Sequence, residues 1–199
     1  GTAPTGSGTS ADPYLIANFN NLSWLAQNSS KWDKYYKQTA NIDASATQYW
    51  DDADDNSDGD KYNDTNDVNS TGNDEGFSPI GNSTTKFTGT YDGDGYVIDG
   101  LKINRTTTSI IGLFGYTTSA TIIDLGMTNV NIVGSDHVGG LIGHNSLSTV
   151  SNCYSTGSVT GSANYVGGLI GLNAESPLNN CYSTSSVIGL YKTGGLIGT

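Results

Sequence analysis

The sequence predicts an all-β protein, a parallel β-helix of about four to five coils, and three observations support this. A phrase of glycine, leucine, a hydrophobic residue and glycine recurs, at residues 112–115, 140–143, 168–171 and 195–198. The first three copies start 28 residues apart, and the same shift superimposes 152–156 on 180–184. The repeat is rich in Val, Ile, Thr, Tyr, Ser and Gly, without helical spacing of its apolar residues. Such a coil fits three short strands joined by turns.

The glycines of the repeated phrase have a structural role in this interpretation. Corners of a coil require either a positive φ or a close approach of two backbones, and glycine permits both. The Leu and Ile residues between the glycines are expected to fill the interior. A phosphate-binding loop is excluded because no Gly-Lys-Ser or Gly-Lys-Thr sequence follows the glycines.

Residues 1–50 are predicted to form a lead-in, a capping helix and the first coil. The helix is expected at 19–27, with Asn18 or Asn20 as its N-cap. Its apolar residues Leu22, Trp24 and Leu25 are expected to be buried over the open end of the β-helix. Solenoids normally need a terminal cap with a polar outer face to cover the apolar core of the end coil.

Residues 51–76 are predicted to be a long acidic loop insertion, since they hold ten of the nineteen acidic residues and one base, Lys61. The alternating oxygen side chains and the glycine at position six match the first seven places of a calcium loop. The candidate Ca²⁺ ligands are Asp54, Asn56, Asp58, Asp60 and Asp64. Place twelve is Thr65 and not the expected Glu, so a solvated acidic loop is the alternative.

Residues 77–199 are predicted to be the repeat region itself. Tyr154 and Tyr182 occupy equivalent places one coil apart and are the candidate ligand-binding residues, because aromatic rings can stack on sugar rings. A tyrosine ladder that only stabilises the sheet is an equal alternative. Cys153 and Cys181 are expected to be stacked free thiols, because neighbouring parallel strands give poor disulfide geometry; a disulfide between them is the alternative.

Two further groups receive structural interpretations. The segment 92–95, Asp-Gly-Asp-Gly, is expected to be a tight turn between strands. His137 and His144 flank one copy of the repeated phrase without a carboxylate or cysteine at a repeated offset, and are expected to face solvent or lie in turns.

The four repeated phrases, together with 87–95 and 138–171, resemble the GLUG motifs of large secreted and surface proteins of bacteria. These include adhesins and the flanks of IgA-cleaving metalloproteases. The resemblance covers residues 77–199 well and implies a β-helical architecture and an extracellular or cell-surface location. It implies much less about activity.

Catalysis is not expected. The column that could carry catalytic carboxylates in a β-helix contains Asp124, Asn152 and Asn180, which suits an amide ladder better than an acid/base pair. No His-Glu-x-x-His zinc motif is present. Eight Lys and Arg against nineteen acidic residues argue against nucleic acid as a partner, and no apolar run reaches the length of a membrane span.

The function predicted is therefore a calcium-binding β-helical segment of a large bacterial surface protein, an adhesin that contacts surface glycans or cell-surface proteins. Further repeats of the same parent chain are expected beside it. A non-catalytic stalk of a secreted enzyme is one alternative. An ice-binding solenoid is another, suggested by the column of Thr128, Thr156 and Thr184, although only one such column is evident.

Overall fold

The computed structural model describes residues 1–50 and 75–199, which form a parallel β-solenoid of about four turns. The first sheet runs up one side, with the strands β1 Tyr14–Ile16, β2 Tyr35–Gln38, β4 Thr90–Asp92, β8 Thr121–Ile123, β12 Thr149–Ser151 and β16 Leu178–Asn179. The second sheet has the strands β3 Ile42–Asp43, β5 Val97–Asp99, β6 Lys102–Asn104, β9 Gly126–Gly134, β13 Tyr154–Gly161, β17 Tyr182–Ser183 and β18 Ser186–Ile188.

Two smaller sheets complete the wall. The third has the strands β7 Phe114–Thr118, β11 Ile142–Ser146 and β15 Ile170–Ala174, and the fourth has β10 Val138–Gly139, β14 Asn164–Gly167 and β19 Tyr191–Gly194. One coil therefore uses four strands, for example β10 to β13, and not the three expected from the repeat length. The extra strand arises because the repeated phrase is a tight corner that separates β10 from β11.

The coils stack in strict register. Val150 pairs with Ile122 in the preceding coil and with Leu178 in the following one, each 28 residues away. The offset changes from 28 to 27 residues within the β13 and β9 pair, where a bulge lies between Ser155 and Gly157. The 28-residue period therefore measures one turn of the solenoid.

The interior is apolar, as expected. Leu113, Leu141 and Leu169 of the repeated phrase are all fully buried. Larger aromatic side chains fill the N-terminal coils, where Tyr91 packs against Phe114 with ring centroids 5.6 Å apart. Aromatic pairs of this geometry contribute about 0.5–1.5 kcal/mol beyond the area they bury.

The glycines of the repeated phrase serve close approach and not positive φ. A Cβ on Gly143 would lie 2.6 Å from the amide nitrogen of Ile111, and one on Gly171 would lie 2.6 Å from the carbonyl oxygen of Gly143. Neither glycine has a φ in the left-handed region. The two strands at the corner therefore pack backbone against backbone, which any side chain would prevent.

A helix closes the N-terminal edge of the first sheet. Helix α1, Phe19–Gln27, begins after Asn18, whose side chain accepts a hydrogen bond from the Asn21 amide, so the predicted cap is confirmed. Leu22 and Leu25 are buried. Trp24 is only partly buried, with its ring edge-on to another aromatic ring of the cap, so the expectation that it is buried was wrong.

Two tryptophans that follow helix α1 in the chain close the core beside it. Trp32 and Trp50 are almost fully buried, and the Trp32 indole nitrogen donates to the carbonyl oxygen of Leu25 at 2.8 Å. Within 1–50 and 75–199, no helix has the length and apolar character needed to cross a membrane.

Candidate binding surface

An amide ladder runs along one edge of the solenoid, formed by Asp124, Asn152 and Asn180. The Asn152 side-chain nitrogen Nδ2 donates to Asp124 Oδ1 at 2.7 Å, and Asn180 Nδ2 donates to the Asn152 side-chain oxygen Oδ1 at 3.3 Å. All three residues have positive φ, at 53°, 53° and 50°. Asp and Asn tolerate this conformation because their short side chains hydrogen-bond locally. The predicted ladder is thus present, and it also forms one corner of each coil.

The tyrosine pair, Tyr154 and Tyr182, begins the next strands of the same coils. The two residues pair in register, and their ring centroids are 5.0 Å apart with planes 1° from parallel. The Tyr182 side chain is 53% exposed, so the outer part of the pair is open to solvent. Gly126 precedes Tyr154 in this column, and a Cβ there would lie 2.5 Å from the Tyr154 Cζ atom. The absence of a side chain at position 126 therefore leaves the space that the Tyr154 ring occupies.

A groove of about 430 Å³ lies between the ladder and the tyrosine pair. It is lined by Asp94, Gly95, Asp124, Leu125, Gly126, Asn152 and Tyr154. The predicted turn at 92–95 brings Asp94 here, because the amides of Gly93 and Gly95 donate to the carbonyl oxygens of Ile123 and Asp124. Columns that sequence reasoning considered separately thus meet at one surface.

The groove offers hydrogen-bond groups suited to hydroxyls. Its carboxylates accept hydrogen bonds, its amide both donates and accepts, and the Tyr154 ring supplies an apolar wall. Among the residues that the structure describes, no Lys or Arg lines it, although Lys37 forms an ion pair with Asp94 at 3.2 Å from outside the groove. The chemistry favours a neutral, hydroxyl-rich ligand over an acidic one.

The threonine column is irregular. The Thr128 hydroxyl donates to the Asp99 carboxylate at 2.5 Å, and the Thr156 hydroxyl accepts from the Asn129 amide at 3.1 Å across the bulge. The regular column is instead Thr90, Thr121 and Thr149 on the first sheet, which sequence reasoning missed because the first step is 31 residues. The outward residues two places later are Asp92, Ile123 and Ser151, so no second threonine column accompanies it.

The two cysteines are free thiols, as predicted, one coil apart. The Cys153 backbone amide donates to the Cys181 sulfur at 3.5 Å, and each thiol donates to the carbonyl oxygen two residues earlier. The contact with the Cys153 side chain, and after it the hydrogen bond from the Cys153 backbone amide, lower the pKa of Cys181 to about 7. The same contact, together with burial, raises the pKa of Cys153.

The two histidines differ in how they match the expectation of solvent-facing or turn positions. His137 does lie in a turn, with φ 53°, whereas His144 lies in strand β11. Both imidazoles are partly buried and stack on aromatic rings. Two 28-residue offsets carried the signal, since Tyr116 is one period before His144 and Tyr165 is one period after His137.

The predicted calcium ligands Asp54, Asn56, Asp58, Asp60 and Asp64 lie outside the described residues. Within the part of the chain that the structure describes, no group of three or more His, Cys, Asp or Glu side chains is arranged to hold a metal ion. The calcium site in the acidic segment stays a prediction. Its C-terminal flank is described, where Glu75 pairs with Arg105 at 3.4 Å.

The fold and its ladders define a β-solenoid repeat protein, and comparisons with known proteins identify the repeat. The family described as the GLUG motif matches residues 134–160, which include the corner at 140–143 and most of β13. Together with the other three copies of the repeated phrase, this match supports a GLUG-repeat protein.

One similar protein is halomucin from Haloquadratum walsbyi, 35% identical over 136 residues. The match covers 67% of this chain but about 1% of halomucin. The organism is an archaeon, so the expected bacterial origin stays a prediction. No solved structure matches the chain.

Proposed function

We propose that this chain is a segment of a large cell-surface or secreted protein, of the adhesin type, that contacts glycans through the groove and the tyrosine pair. The observation that carries the proposal is the meeting of Tyr154, Asp124 and Asn152 at one open groove. A repeated array of identical groups along a solenoid suits a repetitive partner. The similarity to halomucin supports the surface location.

Glycan-array binding tests this proposal directly. The variant Tyr154→Ala with Tyr182→Ala removes the aromatic wall, and we expect at least a tenfold loss of glycan binding, equivalent to about 1.4 kcal/mol. Tyr191→Ala is the matched control, because Tyr191 is also exposed, at 69%, but lies on β19 of the fourth sheet. Equal binding by both variants would refute a role for the tyrosine pair.

The calcium site is proposed separately for the acidic segment, with Asp54, Asn56, Asp58, Asp60 and Asp64 as ligands. The support is the spacing of these oxygen side chains, which matches the start of a calcium loop. Calorimetric titration with Ca²⁺ should show saturable binding, and thermal melts should shift upward with Ca²⁺ relative to EDTA. Asp58→Ala should abolish both effects, whereas Asp33→Ala, at an exposed ion pair with Lys34, should leave them intact.

A non-catalytic stalk is the second candidate, supported by the hydrogen-bonded ladders that tie each coil to the next. The Thr117 hydroxyl donates to the Asn145 side-chain oxygen at 2.6 Å, and the Asn145 amide donates to Asn173 at 2.7 Å. Exposed Ile188 and Leu190, at 62% and 68%, support stacking of further repeats of the parent chain on this side. Absence of binding across a broad glycan array would favour the stalk. The ice-binding alternative has less support, because no second threonine column lies beside the first-sheet column in the part of the chain that the structure describes. Thermal hysteresis in cold solution is the measurement that tests it, and a lack of hysteresis would contradict ice binding.

A further inference from the structure

Four aromatic rings form a continuous stack beside the GLUG corner. The rings of Tyr116 and His144, in neighbouring coils on β7 and β11, have centroids 4.2 Å apart and planes 12° from parallel. The His144 ring stacks on His137 of its own coil at 5.3 Å and 9°. The His137 ring stacks on Tyr165 of the next coil at 4.7 Å and 23°. We call Tyr116, His144, His137 and Tyr165 the aromatic stack.

A lysine ammonium group covers each end of the aromatic stack. Lys86 Nζ lies 5.0 Å from the centroid of the Tyr116 ring, in the loop before β4. Lys192 Nζ, on β19, lies 4.3 Å from the Tyr165 centroid and donates to the Tyr165 hydroxyl at 2.7 Å. The tyrosine faces attract these cations. The two positive charges would repel a positive charge on either imidazole between them.

Among the charged groups that the structure describes beside the aromatic stack, Asp136 is the carboxylate. Its Oδ2 atom lies 3.4 Å from His137 Nδ1, while its Oδ1 atom accepts from the His137 backbone amide at 3.0 Å. His137 Nδ1 is buried and has no hydrogen-bond partner. Asp136 therefore contacts only one of the two histidines, and one of its two oxygens already accepts a backbone hydrogen bond.

The aromatic stack is tied to the corner that defines the repeat. A Cβ on Gly143 would lie 2.8 Å from the carbonyl oxygen of His137 and 2.6 Å from the amide of Ile111. The His137 backbone therefore packs closely against Gly143 of the corner. A change in the stack would be transmitted to the packing of β10 against β11 and to the neighbouring coils.

We propose that the aromatic stack is a pH-sensitive staple, which joins three successive coils while both imidazoles are neutral and loosens when either is protonated. The neutral rings fit face to face between two tyrosines. A protonated imidazole would be partly desolvated, adjacent to its partner imidazole and near a lysine. The loss of stability would affect the coils around the GLUG corner first.

The direction of the pH effect follows from the burial of both rings. Burial lowers the pKa of His137, against an opposing effect of Asp136. Burial lowers the pKa of His144, and the charges of His137 and Lys86 lower it further. The unfolded chain therefore binds more protons once the pH falls below about 6.5, the ordinary value for histidine. The staple's stabilisation is complete above that pH and is lost progressively as the pH falls toward the folded-state pKa values.

The test compares thermal melts at pH 7.5 and 5.5 for the wild type and for His137→Tyr combined with His144→Tyr. Tyrosine is already accommodated one coil away in both columns, and Tyr165, with φ 58°, has a left-handed backbone like that of His137, with φ 53°. We expect the wild-type midpoint to fall by about 2–4 °C more than that of the variant between the two pH values. Equal falls would overturn the proposal.

A second measurement on the wild type covers the case in which the double variant does not fold. The two imidazoles should titrate below about 6.5 when followed by NMR of the folded protein. Titration at or above that value would overturn the proposal. Asp33→Asn serves as the control for general carboxylate titration and should show the wild-type pH dependence of the midpoint, because Asp33 lies at an exposed ion pair with Lys34.

Discussion

The Asn152 side chain donates a hydrogen bond of 2.7 Å to the carboxylate of Asp124 in the preceding coil, while both residues hold a left-handed backbone conformation. This relationship links the corner of each coil to the surface that we propose for ligand contact. A substitution of Asn152 would therefore affect stability and binding through two properties of this residue. One is its tolerance of a left-handed backbone, and the other is the hydrogen bonding of its side-chain amide.

Replacement of Asn152 can separate these two properties. Asn152→Ala should lower the free energy of unfolding by about 1–3 kcal/mol, since alanine disfavours φ of 53° and loses the hydrogen bond. Asn152→Gly removes the same amide but permits the conformation, so it should cost less. Urea unfolding measures both, and an equal cost for the two variants would contradict the backbone contribution.

The first glycine of the repeated phrase offers a comparison between equivalent positions. A Cβ on Gly140 would lie 2.4 Å from the Gly168 carbonyl oxygen, whereas a Cβ on Gly195 would have nothing within 4 Å. Gly140→Ala should therefore destabilise the protein by about 1–3 kcal/mol, as overpacked sites do. Gly195→Ala should be close to neutral. Thermal or urea unfolding of the two variants checks this, and similar costs would show that conformational preference, not contact, decides.

The hydrogen-bonded ladder of Thr117, Asn145 and Asn173 should behave as a coupled unit. Asn145→Leu leaves the buried Thr117 hydroxyl and the partly buried Asn173 side-chain oxygen without their partner, and the buried hydroxyl alone should cost about 1–3 kcal/mol. Thr117→Val added to Asn145→Leu removes one of the orphaned groups and should recover part of that loss. A double-mutant cycle measured by urea unfolding would contradict this expectation if the two costs were simply additive.

Thiol reactivity should differ sharply between the two cysteines. Cys181 is partly exposed with a pKa near 7, so iodoacetamide should modify it in the folded protein with a midpoint near that pH. Cys153 is buried with a raised pKa and should react only on unfolding. Mass spectrometry of labelled peptides measures both rates, and faster labelling of Cys153 would contradict the assignment.

Cys153→Ala provides the companion test. The contact with the Cys153 side chain is the main cause of the lowered pKa of Cys181. Alanine has no thiol, so this contact is lost while the backbone amide at position 153 remains. The labelling midpoint of Cys181 should move above 7, toward the ordinary value of a thiol, and an unchanged midpoint would refute the role of Cys153.

The sequence by itself determined the repeat, its period and the residues that stack. The 28-residue offset identified the columns of Asp124, Asn152 and Asn180, of Tyr154 and Tyr182, and of the two cysteines, because a solenoid converts a fixed sequence offset into a direct contact. The capping helix and its Asn18 cap were also predictable, since the signals for a helix start are local.

The tertiary structure decided which columns meet, because neighbouring columns are brought together by the path of the chain around each coil and not by the period. The corner at 140–143 places His137 against His144, and the turn at 92–95 places Asp94 beside Tyr154. It also decided that glycines serve close backbone packing while Asp and Asn hold the left-handed corners. The sequence is compatible with either role for the glycines, close packing or a left-handed φ. Only the distance between the packed backbones distinguishes the two.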